Sequence, residues 1–194
     1  MPLAAVAATA CRSGTAYQKA DNSHHLSNAM SWTSSWNGCT DIANSTKMNT
    51  QLLVSDINSL TGRQMYDVCR LRQDVFTIEQ NCWVPELDDT DLVATHILLY
   101  EDNILASYAR VYKDENEGHI KIGRVVTAKA FRGKSLGSDV IRQSIQVAQD
   151  KYNAQEVWLD AQVQAIPFYE KCGLKVMSEP FMEDGIQHVK MVFK

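Results

Sequence analysis

Residues 122 to 142 bring together the residue types best suited to chemistry in this chain. Ile122-Gly123-Arg124-Val125-Val126-Thr127 is an apolar, β-branched run that reads as the end of a strand. A short loop with Arg132, Gly133, Lys134 and Gly137 follows, and an amphipathic helix begins beside it. Glycines let the backbone turn tightly and come close to a ligand. A helix start presents unpaired N–H groups and the positive end of the helix dipole. With two cations on the loop, the turn is suited to an anion, above all a phosphate. The spacing is neither Gly-x-x-x-x-Gly-Lys-Ser/Thr nor Gly-x-Gly-x-x-Gly. Gly133-x-x-x-Gly137 also has a ligand-free reading, as a tight connection between strand and helix.

The elements that must hold this turn follow from periodicity. Thr61 and Gln64 have capping-box spacing, and Met65, Val68, Cys69, Arg72, Val75, Phe76 and Glu79 then recur at three- and four-residue steps. They predict an amphipathic helix over roughly 62–80, preceded at Leu52-Leu53-Val54 by a short strand or a lead-in. Pro85 and the acids Glu86, Asp88, Asp89 and Asp91 mark a loop. Thr95 to Tyr100, Ile104 to Tyr112 and His119 to Thr127 read as three strands of an antiparallel meander. A helix from Leu136 to Tyr152 keeps Leu136, Val140, Ile141, Ile145, Ala148 and Tyr152 on one face. Glu156 to Asp160 reads as a strand, and Val163 to Lys171 as a helix stopped by Gly173. Leu174 to Met177 and His188 to Phe193 are the last strands, with Glu183-Asp184-Gly185 turning before the second. The fold class is α/β or α+β, with a mixed, mostly antiparallel sheet flanked by helices.

Composition narrows the function classes. The chain has 194 residues, 45% hydrophobic and 22% charged, with a net charge of −4. That balance argues against non-specific nucleic-acid binding, which needs a basic face. No run approaches the ~20 apolar residues of a membrane-spanning helix. The five cysteines, Cys11, Cys39, Cys69, Cys82 and Cys172, lack CxxC spacing, so no metal site is expected and reduced thiols are. Residues 1–48 are rich in Ala, Ser, Thr and Asn without sustained periodicity, and are expected to be a disordered or artefactual extension. Met30 and Met48 are alternative starts, and a lipoprotein-like signal or an organellar transit peptide are competing readings. Trp32 and Trp36 are unusual for a disordered tail. The expected location is the cytoplasm, and a homodimer is left open.

Val125-Val126-Thr127 followed by Phe131-Arg132-Gly133-Lys134-Ser135-Leu136-Gly137-Ser138 resembles the pyrophosphate-binding motif of the GNAT superfamily of acyl-CoA N-acyltransferases, Gln/Arg-x-x-Gly-x-Gly/Ala. Ala165 to Leu174 resembles that family's tyrosine-bearing helix. Leu71 to Cys82, Ile122 to Val125 and Met182 to His188 are similar to the ElaA-type branch. Ser135 stands where the motif usually has glycine, and Gln162 where many members have asparagine. The resemblance covers residues 50–194 and implies a domain over 49–194 that uses acetyl-CoA as co-substrate, without a metal, to acetylate an amine.

What the resemblance implies for single residues is specific. The backbone of Val125, Val126 and Thr127 pairs with the pantetheine arm as an added strand. N–H groups from Arg132, Gly133, Lys134, Ser135, Leu136, Gly137 and Ser138 hold the pyrophosphate. Tyr169 protonates the leaving thiolate, a transfer in reach of a phenol with a pKa of about 10 against about 8.5 for a thiol. An alkyl amine is mostly protonated at neutral pH, so a base is required. Glu79 is the leading candidate, ahead of Asp88, Asp91, His96, His119 and Asp160. The acidic loop is expected to attract a cationic acceptor. An acyl-homoserine-lactone synthase and a non-catalytic acyl-CoA-binding module are the alternative functions.

Overall fold

The structure, a computed structural model, describes residues 49–194. The expectations for residues 1–48 lie outside the described residues.

Alternating and β-branched runs produce eight strands in one sheet. They are β1 (Thr50–Asp56), β2 (Thr95–Glu101), β3 (Ile104–Lys113), β4 (Ile120–Thr127), β5 (Val157–Gln162), β6 (Lys175–Val176), β7 (Phe181–Glu183) and β8 (Ile186–Phe193). The order across the sheet is β1-β2-β3-β4-β5-β8-β6, with β7 also on β8. β4 and β5 pair in parallel, and every other pairing is antiparallel. The expected meander is therefore present, extended by β1 at one edge. β7 is an addition, since only the turn between it and the expected last strand, β8, was legible.

α1 (Gly62–Arg72) opens with the expected capping box: the Thr61 N–H donates to Gln64 Oε1 at 2.8 Å, and the Gln64 N–H to Thr61 Oγ1 at 3.2 Å. The helix does not run evenly to residue 80. Gln73–Glu79 is π-helical, and the Gln80 N–H reaches back to the Val75 carbonyl at 2.9 Å. One residue is inserted into the helical repeat, a deviation that a three-and-four spacing tolerates without showing it. A short helix, α2 (Thr90–Val93), lies in the acidic stretch that was expected to be a loop. α3 (Leu136–Tyr152) matches its expected bounds, and a 3₁₀ turn at Val163–Ala165 leads into α4 (Ile166–Lys171).

Two apolar layers sandwich the sheet. On one face α3 and α4 bury Val140, Ile141, Ile145 and Tyr169 against Ile97, Val111, Ile122, Leu159 and Met191. On the other, Val68, Leu71 and Val75 of the first helix pack on Leu98, Leu105, Tyr108 and Val126.

Candidate active site

β4 does not keep regular register with β3. Tyr108 pairs with Val126 but Arg110 with Gly123, so β4 carries one extra residue, and Arg124 there has a left-handed φ of 53°. The bulge re-aims the strand. Its parallel pairing with β5 is then confined to Ile120 with Val157 and Lys121 with Trp158, although β4 runs on to Thr127 and β5 to Gln162. The two strands part like a V. Their facing backbone edges lie on either side of a cavity of about 650 Å³, lined by Ile122 to Thr127 on one wall and Leu159, Asp160 and Gln162 on the other.

The strand-to-helix turn closes one end of this cavity. Arg132, Gly133, Ser135, Leu136, Gly137 and Ser138 line it together with Val125, Val126 and Thr127. Ser135, where a glycine was the usual residue, adopts the left-handed conformation itself, with φ 64° and ψ −1°. The backbone of the turn is thus kept at the cost of modest strain. No side chain caps α3, so its first N–H groups remain open at the cavity end. Gly137 has a packing reason of its own: a Cβ there would sit 3.2 Å from Thr127 Oγ1 and 3.3 Å from Phe168 Cζ. Lys134 is the exception among the expected residues of the turn. It does not line the cavity, and its ammonium lies 5.1 Å over the Phe131 ring. Glu79, the expected base, does not line the cavity either.

Arg132 ties the turn to its surroundings. Its Nε donates to the Thr127 carbonyl at 3.1 Å, and its two terminal nitrogens grip both oxygens of Glu79 at 2.6 and 3.1 Å. Hydrogen bonding from Arg132 holds the Glu79 carboxyl below its usual range. A carboxylate so held is a weaker proton acceptor, which is at odds with the base role expected of Glu79. Its geometry suits an anchor for Arg132.

The acidic stretch behaves differently from the expectation. Arg72, fully buried, donates to Glu86 Oε1 at 2.9 Å and to Asp91 Oδ1 at 2.7 Å, and also bonds the Glu86 carbonyl. Arg110 reaches the same Asp91 oxygen at 2.7 Å and both oxygens of Asp88 at 2.8 Å. Arg124, at the bulge, adds contacts to Glu86 and Asp88. Burial alone would raise the Asp88 and Asp91 carboxyls, but the arginines outweigh it, and Asp88 falls to about 2. Glu86, Asp88 and Asp91 pin residues 86–91 to the sheet, and Asp88 and Asp91, held low by the arginines, are weaker proton acceptors than free carboxylates. His96 is equally committed: its Nε2–H donates to the Asp91 carbonyl at 2.9 Å, and Nδ1 accepts from the Tyr108 hydroxyl at 2.8 Å. His119 stacks on Trp158 and does not line the cavity.

Tyr169 reaches the cavity from α4, its ring edge-on to Phe168. Burial pushes its phenol well above the ordinary range, with a smaller push from Cys172, and its hydroxyl has no hydrogen-bond partner among the described residues. A phenol kept protonated in a cavity is placed to donate. Sequence reasoning missed Phe76 and Gln80, which the π-helical turn delivers to the rim, and His188 of β8. For His188 the signal was strand alternation, since Val189 and Met191 are core residues and His188 is out of phase with them. Among the described residues no group of three or more His, Cys, Asp and Glu side chains is disposed to hold a metal ion.

Comparison with known proteins agrees with this geometry. Residues 76–194 match the model of an acetyltransferase (GNAT) domain. A UPF0039 protein of Schizosaccharomyces pombe is 33% identical over 145 residues, covering 74% of this chain and 96% of that protein. ElaA of Escherichia coli is 33% identical over 137 residues, 69% of this chain and 90% of ElaA. The crystal structure of an acyl-CoA N-acyltransferase from Pseudomonas aeruginosa superposes with a TM-score of 0.70 at 31% identity, covering 75% of this chain and all of the other.

Proposed function

This chain belongs to the GNAT family of acyl-CoA N-acyltransferases, with ElaA among its relatives, and from that premise we propose a specific reaction for it. It transfers the acetyl group of acetyl-CoA to a primary amine of a small molecule or peptide, by direct attack in a ternary complex. The observation that carries this reading is the parting of β4 from β5, which frees a strand edge beside the uncapped start of α3. The backbone of Val125, Val126 and Thr127 pairs with the amide-bearing pantetheine arm along that edge. The N–H groups of the turn, with Arg132, take the pyrophosphate. The thioester then lies in the cavity between the strands, within reach of Tyr169 on the core side.

Two features favour direct transfer over a covalent relay. Cys82 lines the cavity and Cys172 directly follows α4, but neither has a histidine hydrogen-bonded to its sulfur among the described residues. A histidine partner is a common means of activating a nucleophilic thiol. Tyr169, by contrast, is a protonated donor with no competing partner among the described residues. The amine nitrogen attacks the thioester carbon, the C–S bond breaks, and the sulfur receives the Tyr169 proton.

The test is a thiol-release screen of acetyl-CoA against monoamines, diamines, amino acids and short peptides. Release that depends on one class of amine supports the reading. Tight acetyl-CoA binding with no release from any amine would instead favour a non-catalytic acyl-CoA-binding module.

A further inference from the structure

The acceptor's base is the missing part of this reaction, and His188 has the geometry for it. Its Nδ1 lies 3.0 Å from the Ile186 carbonyl oxygen. A carbonyl only accepts, so Nδ1 carries the hydrogen and the neutral ring keeps its lone pair on Nε2. The Glu183 carboxylate is 3.9 Å from the same Nδ1. Phe181 packs against the imidazole with centroids 6.2 Å apart, and the side chain is only 12% exposed. His188 nevertheless lines the cavity.

Its side of the sheet matters. Leu159 pairs with Met191 and Ala161 with Val189, all four in the core layer that also holds Tyr169. Strand alternation therefore puts His188, Asp160 and Gln162 on the opposite face. The parted strands open the cavity between the two faces. Tyr169 reaches it from one side and His188 from the other, as an acid for a leaving group and a base for a nucleophile would. Glu183 at the end of β7 lies beside His188, Asp184 and Asp160 line the same cavity, and Lys190 follows two residues on in β8. Lys190 is paired with Glu117. Asp160 accepts from Lys121 at 3.2 Å through Oδ2, while its Oδ1 is buried without a partner.

We propose that His188 is the general base for a cationic primary-amine acceptor whose ammonium group docks at Asp160. This inference rests on the acetyl-transfer reading above. Nε2 takes one proton from the ammonium and passes it to solvent. The freed lone pair forms the C–N bond at the thioester carbon, and the C–S electron pair leaves with sulfur. Sulfur takes the Tyr169 proton, and the second surplus proton on nitrogen replaces it through solvent. The products are an amide, a thiol and one released proton.

Two measurements on the full chain test this. The first is ¹⁵N imidazole NMR, in which His188 shows the Nδ1–H tautomer when neutral; a dominant Nε2–H tautomer overturns the proposal whatever the enzyme's acceptor. The second compares wild type with His188→Gln, using acetyl-CoA with 1,4-diaminobutane and with hydroxylamine, which is already neutral at pH 7. His188→Gln is expected to bind acetyl-CoA as the wild type does and to release thiol on the order of a hundredfold more slowly with the diamine. The variant is spared with hydroxylamine, whose nitrogen needs no deprotonation before it attacks. Equal losses with both amines overturn the base role while leaving acetyl transfer intact. If the wild type releases thiol with no amine of the screen described above, it is the transfer reading that fails, and this inference falls with it.

Discussion

Asp91→Ala should destabilise the domain more than removal of any other carboxylate in residues 86–91. Asp91 Oδ1 receives hydrogen bonds from both Arg72 and Arg110, and its side chain is 5% exposed. Taking one partner from a buried pair costs about 3–5 kcal/mol, because it strands buried charge. Here Glu86 and Asp88 still hold the two guanidiniums, so the lower end, about 3 kcal/mol, is expected. With an unfolding entropy of ~2.1 cal/mol/K per residue over roughly 150 residues, that is a fall in Tm of about 10 °C. The control is Asp89→Ala, an exposed acid two positions away with no side-chain cap bond, expected within ~0.5 kcal/mol of wild type. Circular-dichroism melts read both. The same carboxyls fix the pH dependence. Asp88 and Asp91 are depressed in the folded state, so their contribution is complete above the ordinary carboxylate pKa of about 4 and is lost as pH falls toward 2. Wild type should therefore lose more Tm between pH 5 and pH 3 than Asp91→Ala does. Equal melting of Asp91→Ala and Asp89→Ala would refute the view of this segment as a buried ionic knot.

Two further substitutions separate roles at the turn. Glu79→Gln should leave thiol release within about threefold of wild type, since its carboxylate is an anchor for Arg132; a hundredfold loss would restore Glu79 as the base. Gly137→Trp should abolish acetyl-CoA binding in calorimetry while the far-ultraviolet spectrum is kept, because an indole there fills the end of the cavity that Gly137 lines. Unaltered affinity would remove the turn from the site.

Much of the fold is legible because its elements are locally self-consistent. Thr61 and Gln64 announce the start of α1, and the apolar face from Leu136 to Tyr152 sets α3 to the residue. The motif around Arg132 to Gly137 places the turn because helix N-termini and glycines act locally. What escapes the sequence is non-local. The acidic run looks solvated until Arg72, Arg110 and Arg124 arrive from three different elements to neutralise it. The bulge at Arg124 needs the β3 register to be seen, and without it the parting of β4 from β5 has no cause. His188 hides for the same reason, since only the strand pairing shows which face it occupies. The inserted residue in 73–79 leaves an ordinary helical spacing on paper, yet it carries Phe76 and Gln80 to the cavity.

The central claim is that acetyl-CoA threads the parted strands with its sulfur at Tyr169. Turnover and acetyl-CoA affinity of Tyr169→Phe, measured together on the same preparation, test it most directly. The account predicts affinity within about threefold of wild type and thiol release slowed on the order of a hundredfold. Turnover equal to wild type with full acetyl-CoA affinity would contradict it.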